Sequence, residues 1–151
     1  MDRYPSEASP DDYDKEYDDG TMPANVARLA DAVVGHRIVS AEMSKARDDR
    51  YSWKDPQDAF IITLDNGTQA TLFNTCDCCA FTALESFLLH PERVDHMIMG
   101  VGTTEGFTRW HIYADLGDVL ELTVGWSPGN PFYYGYGFDI LVQPVPAEVT
   151  P

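Results

Sequence analysis

The chain has 151 residues, 25 of them acidic against 10 basic, for a formal net charge of −15. That length suits one domain able to bury its own core without staples, and the charge excludes unaided binding to DNA, RNA or an anionic membrane surface. No apolar run approaches the ~18 residues of a membrane span, and MDRYPSEASP has no signal-peptide pattern; a cytoplasmic protein with neutral, cationic or basic partners is expected.

Residues 1–20 hold eight acids, among them Asp11, Asp12, Asp14, Asp18 and Asp19, against Arg3 and Lys15. Such a segment repels itself and has little to bury, so a disordered acidic tail is expected. Tyr4, Tyr13 and Tyr17 alternate with those acids, a pattern that can imitate a nucleic-acid strand or dock on a basic partner. Over 25–34 the residues Val26, Leu29, Ala30 and Val33 follow helical spacing, with Asn25 as the cap and Gly35 as the stop. Alternation over 36–43 predicts a strand. Residues 44–58 read as a mobile surface loop. There Lys45, Arg47, Arg50 and Lys54, with Tyr51 and Trp53, are offset by Asp48, Asp49, Asp55 and Asp58.

Phe60, Ile62 and Leu64 lead into Asp65-Asn66-Gly67-Thr68, and Ala70 and Leu72 follow. Asn-Gly between two such runs predicts a hairpin closed by a type I′ turn. Phe81, Leu84 and Leu88 then have helical spacing, and His90-Pro91 stops the run. Four strands over 94–101, 107–114, 119–126 and 132–142 have short connections that favour antiparallel neighbours. Residues 143–151, with three prolines, should leave the sheet. The expected fold is therefore α+β: one largely antiparallel sheet of about seven strands (strand, hairpin, four-strand meander) with one or two short helices on one face. Residues 21–143 form the domain and 144–151 a Pro-rich tail.

The most unusual feature is Thr75-Cys76-Asp77-Cys78-Cys79-Ala80, placed where a strand would meet the second helix. A thiol there would feel the positive end of the helix, which favours thiolate. As a metal site, Cys76 and Cys79 have knuckle spacing, with His96 or His111 returning along a strand. His90 would stand ~15 Å away across ten helical residues, too far for one ion. As a redox site the C-x-x-C lacks a parallel βαβ unit. As a nucleophile, Cys79 would need a histidine base and Asp77 or Asp95 to orient it. The fourth reading is small apolar packing.

Phe132, Tyr134, Tyr136 and Phe138 share one face of the last strand. With Trp110, Trp126 and His111 on neighbouring strands, they would line either the core or a cleft for a small ligand. Asp115, Asp118 and Glu121 offer carboxylates for acid–base work or calcium, but sit where a hairpin turn is expected. The G-x-x-x-x-G-K, G-x-S-x-G and H-E-x-x-H signatures are absent from the sequence.

The stretches LDNGTQATLFNTCDCCAFTALESFLLHP and WHIYADLGDVLELTVGWSPGNPFYYGYGFDI resemble an uncharacterised domain family of actinobacteria and their phages, over about residues 35–142. The resemblance implies provenance, an actinobacterial or phage cytoplasmic protein, and carries over no catalytic or ligand residue.

These readings favour a small acidic accessory protein, leaning non-enzymatic, that binds a basic protein or a small neutral ligand through Trp110, Trp126, Tyr134 and Tyr136 or through the acidic tail. No cofactor is required by that reading. The alternatives are a zinc-binding or thiol-dependent domain built on Cys76, Cys78, Cys79, His96 and His111, and an acidic inhibitor that imitates nucleic acid.

Overall fold

The computed structural model describes residues 21–48, 50, 53, 55–77, 80–127 and 137–145. The acidic segment 1–20, and with it the expected tail, lies outside the described residues. One helix, α1 (Thr21–Val33), opens the described chain. Nine strands follow: β1 (Ile38–Ala46), β2 (Gln57–Leu64), β3 (Thr68–Phe73), β4 (Thr75–Asp77), β5 (Ala80–Leu89), β6 (Gly100–Thr104), β7 (Arg109–Ala114), β8 (Gly117–Ser127) and β9 (Asp139–Pro144). A short 3₁₀ turn, Pro91–Arg93, separates β5 from β6. No described helix is long and apolar enough to cross a membrane.

The expected α+β fold with a single seven-stranded sheet is overturned. The strands form two antiparallel sheets, ordered β1-β2-β3-β9 and β4-β5-β8-β7-β6. Each sheet has an apolar face, and one short helix cannot cover both, so the two faces bury each other around one core. Phe60, Ile62, Leu72 and Ile140 of the first sheet share that core with Trp110, Ile112, Leu120 and Leu122 of the second. The rings of Phe60 and Phe87 meet at 4.7 Å across it. Helix α1 packs on β6, β3 and β9, burying Met22, Val26, Leu29 and Val33 completely, the stripe expected of an amphipathic helix.

Several local expectations fail for identifiable reasons. The second helix is strand β5. Its inward residues are Ala80, Thr82 and Leu84, then Phe87 and Leu89, and the register against β8 shifts between Leu84 and Ser86. A β-bulge inserts one residue and reverses which parity points inward, which breaks strict alternation, and Phe81 and Leu88, two of the three residues with helical spacing, are exposed. The fourth strand of the meander joins the other sheet, where β9 pairs with β3 as far as Thr68 with Pro144. Residues 128–138 lie between β8 and β9, a connection long enough to change sheets. Residues 143 and 144 accordingly stay in the sheet rather than leaving it.

The hairpin forms, with Ala59–Thr63 paired to Phe73–Gln69, but its turn is not type I′. Gly67 alone has positive φ, at 85°, and Asn66 Oδ1 accepts from the Thr68 amide and hydroxyl at 3.2 and 2.8 Å. That is the three-residue loop in which glycine takes the left-handed position. The segment predicted as loop over 44–58 is shortened at both ends, by β1 through Ala46 and β2 from Gln57. Within it, Arg50 is gripped by Asp48 and by Asp139, at 2.8 and 2.7 Å from Nη2. These carboxylates, Asp48 foremost, hold its guanidinium well above the usual arginine range.

Asn25 lies inside α1 rather than capping it. Its amide donates to Phe138 O at 2.8 Å and its oxygen accepts from Phe138 N at 2.9 Å. Beside it, Thr82 Oγ1 accepts from Gly137 N at 2.6 Å and Thr75 Oγ1 donates to Gly137 O at 2.7 Å. The helix and the second sheet thus aim the chain into β9. Substituting Asn25→Ala should cost about 2 kcal/mol, since two bonds are lost and two part-buried backbone groups are left unpaired. Urea denaturation checks this, and a shift below a few tenths of a kcal/mol would contradict it.

Candidate functional site

The outward face of the five-stranded sheet carries a concentration of ionisable groups. Along β7 the burial alternates, so Trp110, Ile112 and Ala114 point inward and Arg109, His111 and Tyr113 outward. On β8 the register passes from Ile112 opposite Leu120 to Tyr113 opposite Asp118. Val119 is the extra residue of a bulge, and both Val119 and Leu120 are fully buried. The bulge therefore turns Asp118 to the same outer face as Glu121, three positions on, where strict alternation would oppose them. Glu121 stands directly across from His111.

One ligand atom from each of His111, Asp118 and Glu121 lies within 4.8 Å of the other two. His111 Nδ1 and Asp118 Oδ2 are 3.0 Å apart, and His111 Nε2 is 3.2 Å from Thr104 Oγ1. A neutral imidazole protonated on Nδ1 satisfies both contacts. Glu121 is shared: Arg109 Nη2 donates to Oε1 at 2.9 Å, and His90 Nε2 meets Oε2 at 2.6 Å. His90 is held here because its amide donates to Val119 O at 2.8 Å. Arg93, in the 3₁₀ turn, donates to Asp118 O at 2.8 Å. The side chains of His111, Asp118 and Glu121 are only 15%, 16% and 17% exposed, too little for water to neutralise them fully.

Two buried atoms in this cluster make no hydrogen bond, Asp118 Oδ1 and Arg109 Nε. An unpaired carboxylate oxygen removed from water is costly, so it calls for a cation or a donor. The line Asp118–His111–Thr104 has the connectivity of a proton relay ending on a hydroxyl. A strand face is a poor place for acyl transfer, however, because its N–H groups lie in the plane of the sheet, paired to neighbours, and cannot face an oxyanion. A mixed imidazole and carboxylate set with an open side suits a divalent transition ion better.

The described residues among those predicted from sequence are dispersed. Of the proposed metal or thiol set, His111 is the one described member that joins the cluster. Cys76 is an exposed free thiol on β4, and Cys78 and Cys79 lie outside the described residues. The helix supposed to lower a thiol pKa does not exist, and with it goes the ~15 Å span that set His90 aside. His96 pairs with Asp115 at 2.9 Å. Trp110 is wholly buried against Phe138 at 5.4 Å. Trp126 is partly buried and donates to Gly106 O at 2.7 Å. Tyr134 and Tyr136 lie outside the described residues. From the sequence, His90 is set aside as a ligand, Glu121 stands only as a carboxylate near Asp115 and Asp118, and Arg109 is not singled out. The signal for Arg109 is the outward alternation of β7, and a bulge hid the corresponding parity on β8.

Residues 31–140, from the second half of α1 to the start of β9, match the family described as Domain of unknown function (DUF7448). The chain belongs to that family. The DUF7448 span contains every residue of the cluster. No curated protein and no solved structure matches the chain.

Proposed function

We propose that the outer face of the five-stranded sheet binds one divalent transition ion, with zinc as the leading candidate, through His111, Asp118 and Glu121. The observation that carries this is the convergence of three donor atoms within 4.8 Å, one of them beside a buried carboxylate oxygen with no hydrogen bond. Three donors each ~2.1 Å from a tetrahedral ion sit ~3.4 Å apart, so side-chain rotations close the set and leave a fourth position for an outside ligand. The chain then serves as a small acidic accessory protein that engages its partner through the bound ion. The family resemblance supports an actinobacterial or phage cytoplasmic setting, and the net charge of −15 supports a partner other than nucleic acid.

Calorimetric titration of the metal-free chain with zinc chloride tests the reading. One equivalent should bind, and His111→Ala should weaken it at least 100-fold. If zinc followed the thiols instead, the Cys76→Ser, Cys78→Ser and Cys79→Ser triple variant would lose it while His111→Ala kept it. That result, or no saturable heat, would reject the site.

A further inference from the structure

We infer that ion binding at this site exposes a second one, for a carboxylate group, on the guanidinium of Arg109. This rests on the cation reading above. Both oxygens of Glu121 are engaged, Oε1 by Arg109 Nη2 at 2.9 Å and Oε2 by His90 Nε2 at 2.6 Å, and a cation bound through Oε1 competes with Arg109 for it. The Arg109 side chain as a whole is more than a third exposed, but its Nε is buried and makes no hydrogen bond, so departure of Glu121 is what would open this edge. Release of Nη2 leaves two adjacent N–H donors on one edge of a planar group, which is the geometry that takes a carboxylate in two parallel bonds.

The surroundings favour an anion despite the acidity of the chain. His90, Arg93, Arg109 and His111 all converge on this face, around the two carboxylates the ion would occupy. Thr104, directly opposite Arg109 across the β6–β7 ladder, adds a hydroxyl on the same side. Arg109 Nη2 contacts Glu121, one of the three residues offered to the ion, so one carboxylate could meet both the metal and the arginine. The ligand class is thus an organic carboxylate, borne either by a small acid or by a peptide C-terminus. Cation and carboxylate must then strengthen each other's binding by the same factor.

The test follows the Arg109 Nε–H resonance of the full-length chain by NMR, with sodium acetate as the probe and with zinc present or absent. Acetate should bind at least tenfold more tightly with zinc. Arg109→Gln releases Glu121, so it should bind zinc at least as tightly as the parent yet lose the tenfold gain for acetate. Arg109→Lys, which keeps the charge but not the fork, should recover only part of it. A short peptide with a free C-terminus that gains more from zinc than its amidated form assigns the carboxylate to a peptide, and an equal gain for acetate assigns it to a small acid. Zinc binding with no change in acetate affinity, or with the gain intact in Arg109→Gln, overturns this inference and leaves the cation site standing. Absence of zinc binding removes the cation reading itself.

Discussion

Trp110→Ala is expected to cost about 3–5 kcal/mol, enough to threaten folding when a whole domain is stable by only ~5–15 kcal/mol. Trp110 is the largest fully buried side chain. It stands edge-on to Phe138 at 5.4 Å, so it couples the second sheet to the segment that leads into β9. Its indole N–H donates to Phe107 O at 2.9 Å. That carbonyl belongs to the β6–β7 turn, where Glu105, Gly106 and Phe107 all have positive φ, at 58°, 67° and 64°. Left-handed backbone costs about 1 kcal/mol or more at a non-glycine residue, so the turn needs outside support. Trp126 supplies more of it by donating to Gly106 O at 2.7 Å, as does the Thr108 hydroxyl, 2.7 Å from Glu105 O. Truncating Trp110 therefore opens a cavity and unpins a strained turn together. Trp110→Phe keeps most of the volume and loses the donor, and should cost about 1–2 kcal/mol. Urea melts of both variants check the order: no loss in Trp110→Phe would show that the turn contact carries no stability, and equal losses would show that the cavity carries none.

Zinc should raise the melting temperature of the parent by about 5–10 °C when free zinc is 100 times its dissociation constant. Binding to the folded state alone stabilises by ~2.7 kcal/mol at that concentration, and a domain of this size gains ~2–4 °C per kcal/mol. Asp118→Asn should abolish that response. It removes one ligand charge, yet without metal it should be no less stable than the parent, because a buried carboxylate oxygen with no hydrogen bond is replaced by a neutral amide. The combination separates a metal site from a purely structural ion-pair network. If His111–Asp118 at 3.0 Å served only to brace the sheet, Asp118→Asn would be destabilised and zinc would move neither protein. Differential scanning fluorimetry across a zinc series reads both quantities.

The hairpin around Asn66-Gly67 and the stripe Val26, Leu29, Val33 were legible because the contacts they imply are local. The turn type was not, since Asn-Gly serves both a two-residue loop and a three-residue one, and strand register chooses between them. Strand β5 was misread for a different reason. A bulge between Leu84 and Ser86 turns 82, 84, 87 and 89 inward and breaks strict alternation, while the helical spacing of Phe81, Leu84 and Leu88 joins two exposed residues to one inward one. The same device hid the candidate site. His111 was recognised as a ligand type, and Asp115 and Asp118 as two carboxylates with Glu121 nearby, but nothing in their spacing said that His111, Asp118 and Glu121 face one way.

By itself the sequence determined the strong acidity, the amphipathic helix, the hairpin and the family, because each depends on composition or on residues close along the chain. Tertiary structure decided the rest. It divided the strands between two sheets, since apolar faces must be covered by whatever surface is available and one short helix is too little. It sent β9 beside β3 through the contacts of Asn25, Thr75 and Thr82 with residues 137 and 138. It also gathered His90, from beyond β5, with Arg109 and His111 of β7 and Asp118 and Glu121 of β8. Cross-strand register and the bulge at Val119 fix those side chains on one face, and both are properties of paired strands that no single strand carries in its own sequence.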